Sequence, residues 1–159
     1  MEISPEGELI LRAPRRMPQR LIEQFVASHG DWIEKQREKI RRRADFDEAH
    51  FSSEEQVREL ITRAKEILPR KTEHWAKVMG VTPAGVRISQ AKKRFGSCSA
   101  ENRIAYSYRL MAYPEEAIDY VVVHELAHIR HKNHSPEFYA YIARFLPDYR
   151  AREAILKHR

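Results

Sequence analysis

The segment that most narrows what this chain can fold into runs from Ile118 to His128 and reads Ile-Asp-Tyr-Val-Val-Val-His-Glu-Leu-Ala-His. Pro114, Glu115, Glu116 and Asp119 stand at or just inside its start. Proline needs no amide partner at a first helical position, and carboxylates meet the positive end of the helix dipole there. The helix so begun carries an apolar run into a histidine pair. On an α-helix His124 and His128 lie one turn apart on one face, so both imidazoles reach a single ion. Glu125 falls on the same side but displaced, where it addresses a water beside the ion without ligating the ion. Leu126 and Ala127 point away toward packing. Histidines on a buried face demand a partner for their ring nitrogens.

The short pattern is weak alone, and a further histidine at the right distance strengthens it. Catalytic zinc takes three protein ligands and keeps a fourth position for water. His131 and His134 are the candidates for the third. His131 serves only if the helix continues unbroken, which stacks three ligands along one helix with poor tetrahedral spread. His134 follows Asn133, which can leave the helix in a left-handed conformation, and Ser135-Pro136 can cap and start another helix. That reversal favours His134, leaving His131 exposed or outside the ligand set. Phe138, Ile142 and Phe145 are expected to face inward from the last helix.

Upstream, the opening Glu6 to Pro14 alternates weakly and suits a short strand, whose partner must come from elsewhere in the fold or from further upstream. From Arg20 to Arg43 apolar residues at helical spacing predict two helices broken near Ser28-His29-Gly30-Asp31. The stretch Arg41 to His50 reads as a polar linker. Ser52 or Ser53 then starts a helix, with Val57, Leu60, Ile61, Ala64, Ile67 and Leu68 on one side, kinked or divided by Pro69 and ended by Gly80. Between Val81 and Tyr113 the character is β: a strand at Gly85 to Ser89, a loop from Gln90 to Asn102, and a strand from Arg103. In that last strand Ile104, Tyr106 and Tyr108 share one face. Asn102 reads as a turn residue, Cys98 as a small buried residue in a tight turn, and Asp119 as a dipole partner or a carboxylate behind the histidines. The sum is an α+β chain in which a small sheet packs on the histidine-bearing helix.

A length of 159 residues fits one domain: an N-terminal strand and helices over 1–50 and a core over 51–159. No apolar run suits a membrane and no signal peptide opens the chain. With a single cysteine, Cys98, ruling out an intrachain disulfide framework, a cytoplasmic location is expected. The net charge of +6 gathers at Arg41 to Arg43, Lys92 to Arg94 and Arg130 to Lys132. Such clusters attract nucleic acid or acidic partners, but more often form a solvated face, and no nucleic-acid motif accompanies them here.

The stretch RFGSCSAENRIAYSYRLMAYPEEAIDYVVVHELAHIRHKNHSPEFYAYIARFLPDY resembles the YgjP-like metallopeptidase family, a relative of the SprT-like and M48-type zincins. The N-terminal region from Glu6 to Ile33 is similar to that family's strand and helix region. Phe95 stands where relatives commonly have tryptophan. The resemblance implies a zincin-like fold, Zn2+ held by His124, His128 and His134, Glu125 as catalytic base, and a peptide or protein substrate. One rival is nucleotide phosphoanhydride hydrolysis at the same centre, with Lys92, Lys93 and Arg94 neutralising phosphate. Another is a nucleic-acid-associated module with a closed structural zinc. For the peptidase, an extended substrate is expected along Arg103 to Leu110, provided that strand is a sheet edge.

Overall fold

The structure, a computed structural model, describes residues 1–157. By its internal contacts the chain divides into two compact units, residues 1–49 and residues 50 onward. In the first, β1 (Glu2–Ile3) and β2 (Leu9–Ile10) form an antiparallel hairpin with Glu2 opposite Ile10. The strand expected in the opening segment thus finds its partner within the chain. Ser4 closes the turn: its Oγ accepts from the amides of Glu6 and Glu8 at 3.2 Å each. Then come α1 (Gln19–Ser28) and α2 (Gly30–Phe51), broken at His29 near the expected place.

The polar stretch from Arg41 to His50 is helix rather than linker. Glu34 with Arg37, and Glu38 with Arg41 and Arg42, pair at helical spacing. A charge run whose signs match every third or fourth residue supports a solvated helix.

The second unit opens with α3 (Glu54–Met79) behind a capping box, in which Ser53 Oγ accepts from the Gln56 amide at 3.1 Å and Gln56 Oε1 from the Ser53 amide at 3.2 Å. Gly80 ends the helix in the left-handed region at φ 64°. Of the two outcomes expected at Pro69, a kink or a division, division does not occur: the helix runs unbroken through it. An interior proline costs about 3 kcal/mol, but Pro69 is exposed, while Leu60, Ala64, Leu68, Thr72, Ala76 and Met79 are buried along one continuous stripe.

The sheet has three strands in the order β3 (Gly85–Ser89), β5 (Arg103–Ser107), β4 (Gly96–Cys98). β3 runs parallel to β5 and β4 antiparallel to it. β4 lies inside the segment expected to be loop, with Asn102 at φ 61° forming its turn into β5. β5 is therefore central, not an edge, and from Ile104 onward it is buried on both faces. It is also shorter than expected: a 3-10 turn takes over at Tyr108–Ala112, where Ser107 Oγ accepts from the Arg109 amide. Tyr106, fully buried, meets the Thr72 hydroxyl at 3.2 Å, which fastens the sheet to α3.

The helix α4 (Glu115–Ala127) crosses this core, with α5 (Pro136–Ala143) and α6 (Tyr149–Lys157) following. Ala117, Ile118, Tyr120, Val121, Val122, Val123, Glu125, Leu126 and Ala127 are all buried, so α4 is enclosed nearly all round. That enclosure explains how three successive valines, poor helix formers because of their stiff χ1, stand in a helix: packing outweighs propensity. Asp119 is neither a dipole partner alone nor a support for the histidines. It accepts from Lys71 Nζ at 2.8 Å and from Trp75 Nε1 at 3.2 Å, tying α4 to α3. Burial works against the Lys71 charge, but Asp119 and Glu115 outweigh it and raise the pKa above the ordinary lysine value.

Asp119→Ala removes both bonds at a half-buried site and is expected to cost about 1–3 kcal/mol, read as a lower urea midpoint with an unchanged slope. An unaltered midpoint would show that Asp119 does not hold these helices together.

Candidate metal centre

The last turn of α4 decides the geometry of the centre. The helix ends at Ala127, about one and a half turns before Asn133, and Asn133 does not adopt the expected left-handed conformation. The ending is built from successive tight turns: Ile129 donates to the Leu126 carbonyl, and both Arg130 and His131 donate to the Ala127 carbonyl. They bring the His131 carbonyl to the edge of the His128 ring, whose Nδ1–H donates to it at 2.9 Å. A carbonyl only accepts, so this bond fixes the tautomer and leaves Nε2 of His128 with a free lone pair. Ser135 then caps α5 through the Phe138 amide, with Pro136 at its first position as expected. His134, just ahead of the cap, returns to the end of α4.

His124, His128 and His134 each offer a ring nitrogen, and these three atoms lie within 4.8 Å of one another. Nε2 of His124 and Nε2 of His134 are 3.1 Å apart. Two nitrogens bound to one tetrahedral zinc at the usual bond length stand about 3.3 Å apart, so the spacing fits an ion of that size. His131 is outside the cluster, its ring set against Tyr141 at 5.4 Å between centroids. Cys98 is outside it too. It sits half-buried on β4 rather than in a tight turn, and burial holds its thiol pKa above the ordinary value.

Phe138 forms the floor under the three imidazoles. Fully buried, its ring lies 4.9 Å from His124, 4.5 Å from His128 and 5.0 Å from His134 between centroids. The inward-facing expectation for Phe138 anticipated burial, but not that one ring would touch all three histidines.

Burial lowers the His124 pKa to about 3, with His128 and His134 adding to the fall. Burial also lowers that of His128. Neutral imidazoles with available lone pairs are the form in which histidine ligates a metal. Nδ1 of His124 is buried without a hydrogen-bond partner among the described residues.

Glu125 is 6% exposed, and burial raises its carboxyl pKa to about 8 against the opposing charge of Arg94. Its place depends on Gly96. A Cβ added at Gly96 would collide with Oε1 of Glu125 and stand 2.6 Å from its Cγ and 2.7 Å from its Cδ. Only glycine lets the edge strand β4 come this close to the carboxylate. The aromatic preceding it, Phe95, packs edge-on against Tyr113 at 5.0 Å. The glycine in Arg-Phe-Gly-Ser-Cys-Ser was visible in the sequence, but nothing there said which side chain it admits.

Three clustered imidazoles, two from the end of a buried helix and one from the segment after it, with a shielded carboxylate beside a sheet edge, are the equipment of a metal-dependent hydrolase. The chain belongs to the YgjP-like family of metallopeptidase domains, whose profile matches residues 1–59 and 52–159. No curated protein matches it. Among solved structures it is similar to the metallopeptidase zymogen of Pyrococcus abyssi abylysin, at 26% identity and a TM-score of 0.49, over 55% of this chain and 87% of that one. It is also similar to the metallopeptidase zymogen of Methanocaldococcus jannaschii jannalysin, at 19% identity and a TM-score of 0.49, over 57% of this chain and 91% of that one. Membership of the family makes the protein a metal-dependent peptidase in class, acting on peptide or protein. No described helix is long and apolar enough to cross a membrane.

Gly96→Ala is expected to lower stability by about 1–3 kcal/mol through overpacking. Because the clash is with one side chain, the cost should largely vanish in a Glu125→Ala background. A double-mutant cycle in thermal unfolding measures this coupling, and additive losses would remove Glu125 as the cause.

Proposed function

We propose that the protein is a zinc-dependent peptidase in which His124, His128 and His134 hold the metal and Glu125 is the general base. The observation that carries the reading is the set of three ring nitrogens within 4.8 Å, with no fourth metal-binding side chain joining them among the described residues. Three ligands leave a coordination position open, as a catalytic site requires and a closed structural zinc does not. When bound, the zinc supplies a Lewis acid that polarises the scissile carbonyl and makes water more acidic.

The remaining work falls to the chain. Glu125 takes a proton from the attacking water and delivers it to the leaving amine nitrogen. Burial raises the carboxyl pKa to about 8, so the group is largely protonated near neutrality, and the positive charge of an ion held by the three histidines would lower that value toward the ionised form a base needs. Gly96 keeps the carboxylate confined between α4 and β4, so the base has little freedom to turn away. The His131 carbonyl holds the His128 ring in one tautomer. An extended substrate is best placed along β4, the sheet edge beside Glu125, since β5 has both its edges occupied. We further propose that residues 51–159 act as the catalytic core and 1–50 as an appended strand and helices of one functional chain.

Two expected outcomes test the assignment. The His134→Ala protein should lose its zinc in metal analysis while His131→Ala retains it; the reverse pattern would exchange their roles. Glu125→Gln should keep zinc and fold yet lose about 10²–10⁴-fold in peptide hydrolysis. Turnover undiminished in the zinc-loaded variant would exclude Glu125 as the base.

A further inference from the structure

A cavity of about 280 Å³ opens beside the histidines, walled by Phe95, Val121 and Leu156 and including His124 and Glu125 in its lining. It falls below the roughly 300–1,000 Å³ usual for sites that enclose a drug-sized molecule, so it suits a single side chain. Glu153 and Lys157 of α6 also line it and pair with each other at 2.8 Å.

Apart from that ion pair, Tyr120 is the polar group of this cavity that the mechanism leaves unused. It stands one turn before His124 on the same face of α4, its ring edge-on to that imidazole at 5.7 Å between centroids. The residue is 4% exposed, and its hydroxyl makes no hydrogen bond with any described residue. A buried tyrosine hydroxyl normally has a partner. Unlike Nδ1 of His124, it is not among the fully enclosed unpartnered atoms, so it retains access to the space it lines. Burial, with Glu153 adding to it, raises the phenol pKa above the ordinary tyrosine value, so the group remains a donor.

We infer that this cavity receives one side chain of the peptide substrate, and that the Tyr120 hydroxyl selects one joining an apolar stem to a neutral hydrogen-bonding end, the class of glutamine. The inference rests on the peptidase reading above. A purely apolar side chain fills the walls but leaves the hydroxyl dry and unbonded, which carries a desolvation cost. A carboxylate side chain meets two carboxylates, Glu125 and Glu153. An ammonium group must compete with Lys157 for Glu153. A neutral amide satisfies the hydroxyl without either conflict.

The test uses the chain with metal removed by chelation, so that Glu125 stays in the cavity wall and no peptide is cleaved, with and without Tyr120→Phe, and blocked peptides Ala-Ala-Xaa-Ala-Ala in which Xaa is Gln, Met, Ala, Glu or Lys. Gln and Met are close in size, so their ratio of dissociation constants isolates the polar end. The Tyr120 protein should bind the Gln peptide about 5–10-fold tighter than the Met peptide. Tyr120→Phe should abolish that ratio while leaving the Met affinity in place. A ratio near one in the Tyr120 protein, or an equal loss across all five peptides in Tyr120→Phe, overturns the inference. Wild-type cleavage of the same peptides separates the two readings. Cleavage without binding preference leaves the peptidase standing and removes the selectivity. Selective binding without cleavage does the opposite, and binding of no peptide removes both.

Discussion

Almost everything polar in the proposed site is mounted on a helix that has nearly no surface. α4 is enclosed by α3, the sheet and the two helices that follow, and the Lys71 and Trp75 bonds to Asp119 fix its placement. A helix held on all sides cannot rotate to relieve an awkward side chain. Glu125 is consequently confined against Gly96, and His124 is held with one nitrogen unsatisfied. The packing of apolar neighbours keeps these groups in place.

That confinement has an electrostatic cost at both ends of the pH range. Glu125 has a folded-state pKa raised to about 8, so its ionisation opposes folding increasingly as pH climbs from the ordinary carboxylate value toward 8. His124 has its pKa lowered to about 3, so stability is lost as pH falls from the ordinary imidazole value toward 3. Opposed shifts of this kind, each caused by burial, are an arrangement that functional centres use. A cation held by the neutral imidazoles would favour the ionised form of the carboxyl while leaving the rings uncharged.

The sequence disclosed this centre unevenly, for physical reasons. Helical spacing alone placed His124, Glu125 and His128 relative to one another, because that geometry is local. The capping residues Ser53, Gly80 and Ser135 were equally legible, each satisfying backbone groups within its own turn. The end of α4 was not, since a carbonyl three residues on and the Ala127 carbonyl together set it. β4 escaped notice because Gly-Ser-Cys lacks β-branched residues and is a strand only through pairing with β5. The helical character of Arg41 to His50 is masked by its polarity, because it rests on charge pairs such as Glu38 with Arg41 and Arg42 rather than on an apolar stripe. Phe138 and Gly96 bear on the site through contacts distant in sequence, which no periodicity reports.

Phe138 has a consequence for the thermodynamics of ion capture. Its ring braces three imidazoles drawn from a helix end and from the segment leading into another helix, and those rings already stand at ligand spacing. The conformational freedom that capture of an ion usually removes from its ligands has been surrendered during folding. Binding of an ion at the proposed centre would therefore draw on little further ordering of the chain, and its affinity would be a property of the hydrophobic core as much as of the histidines.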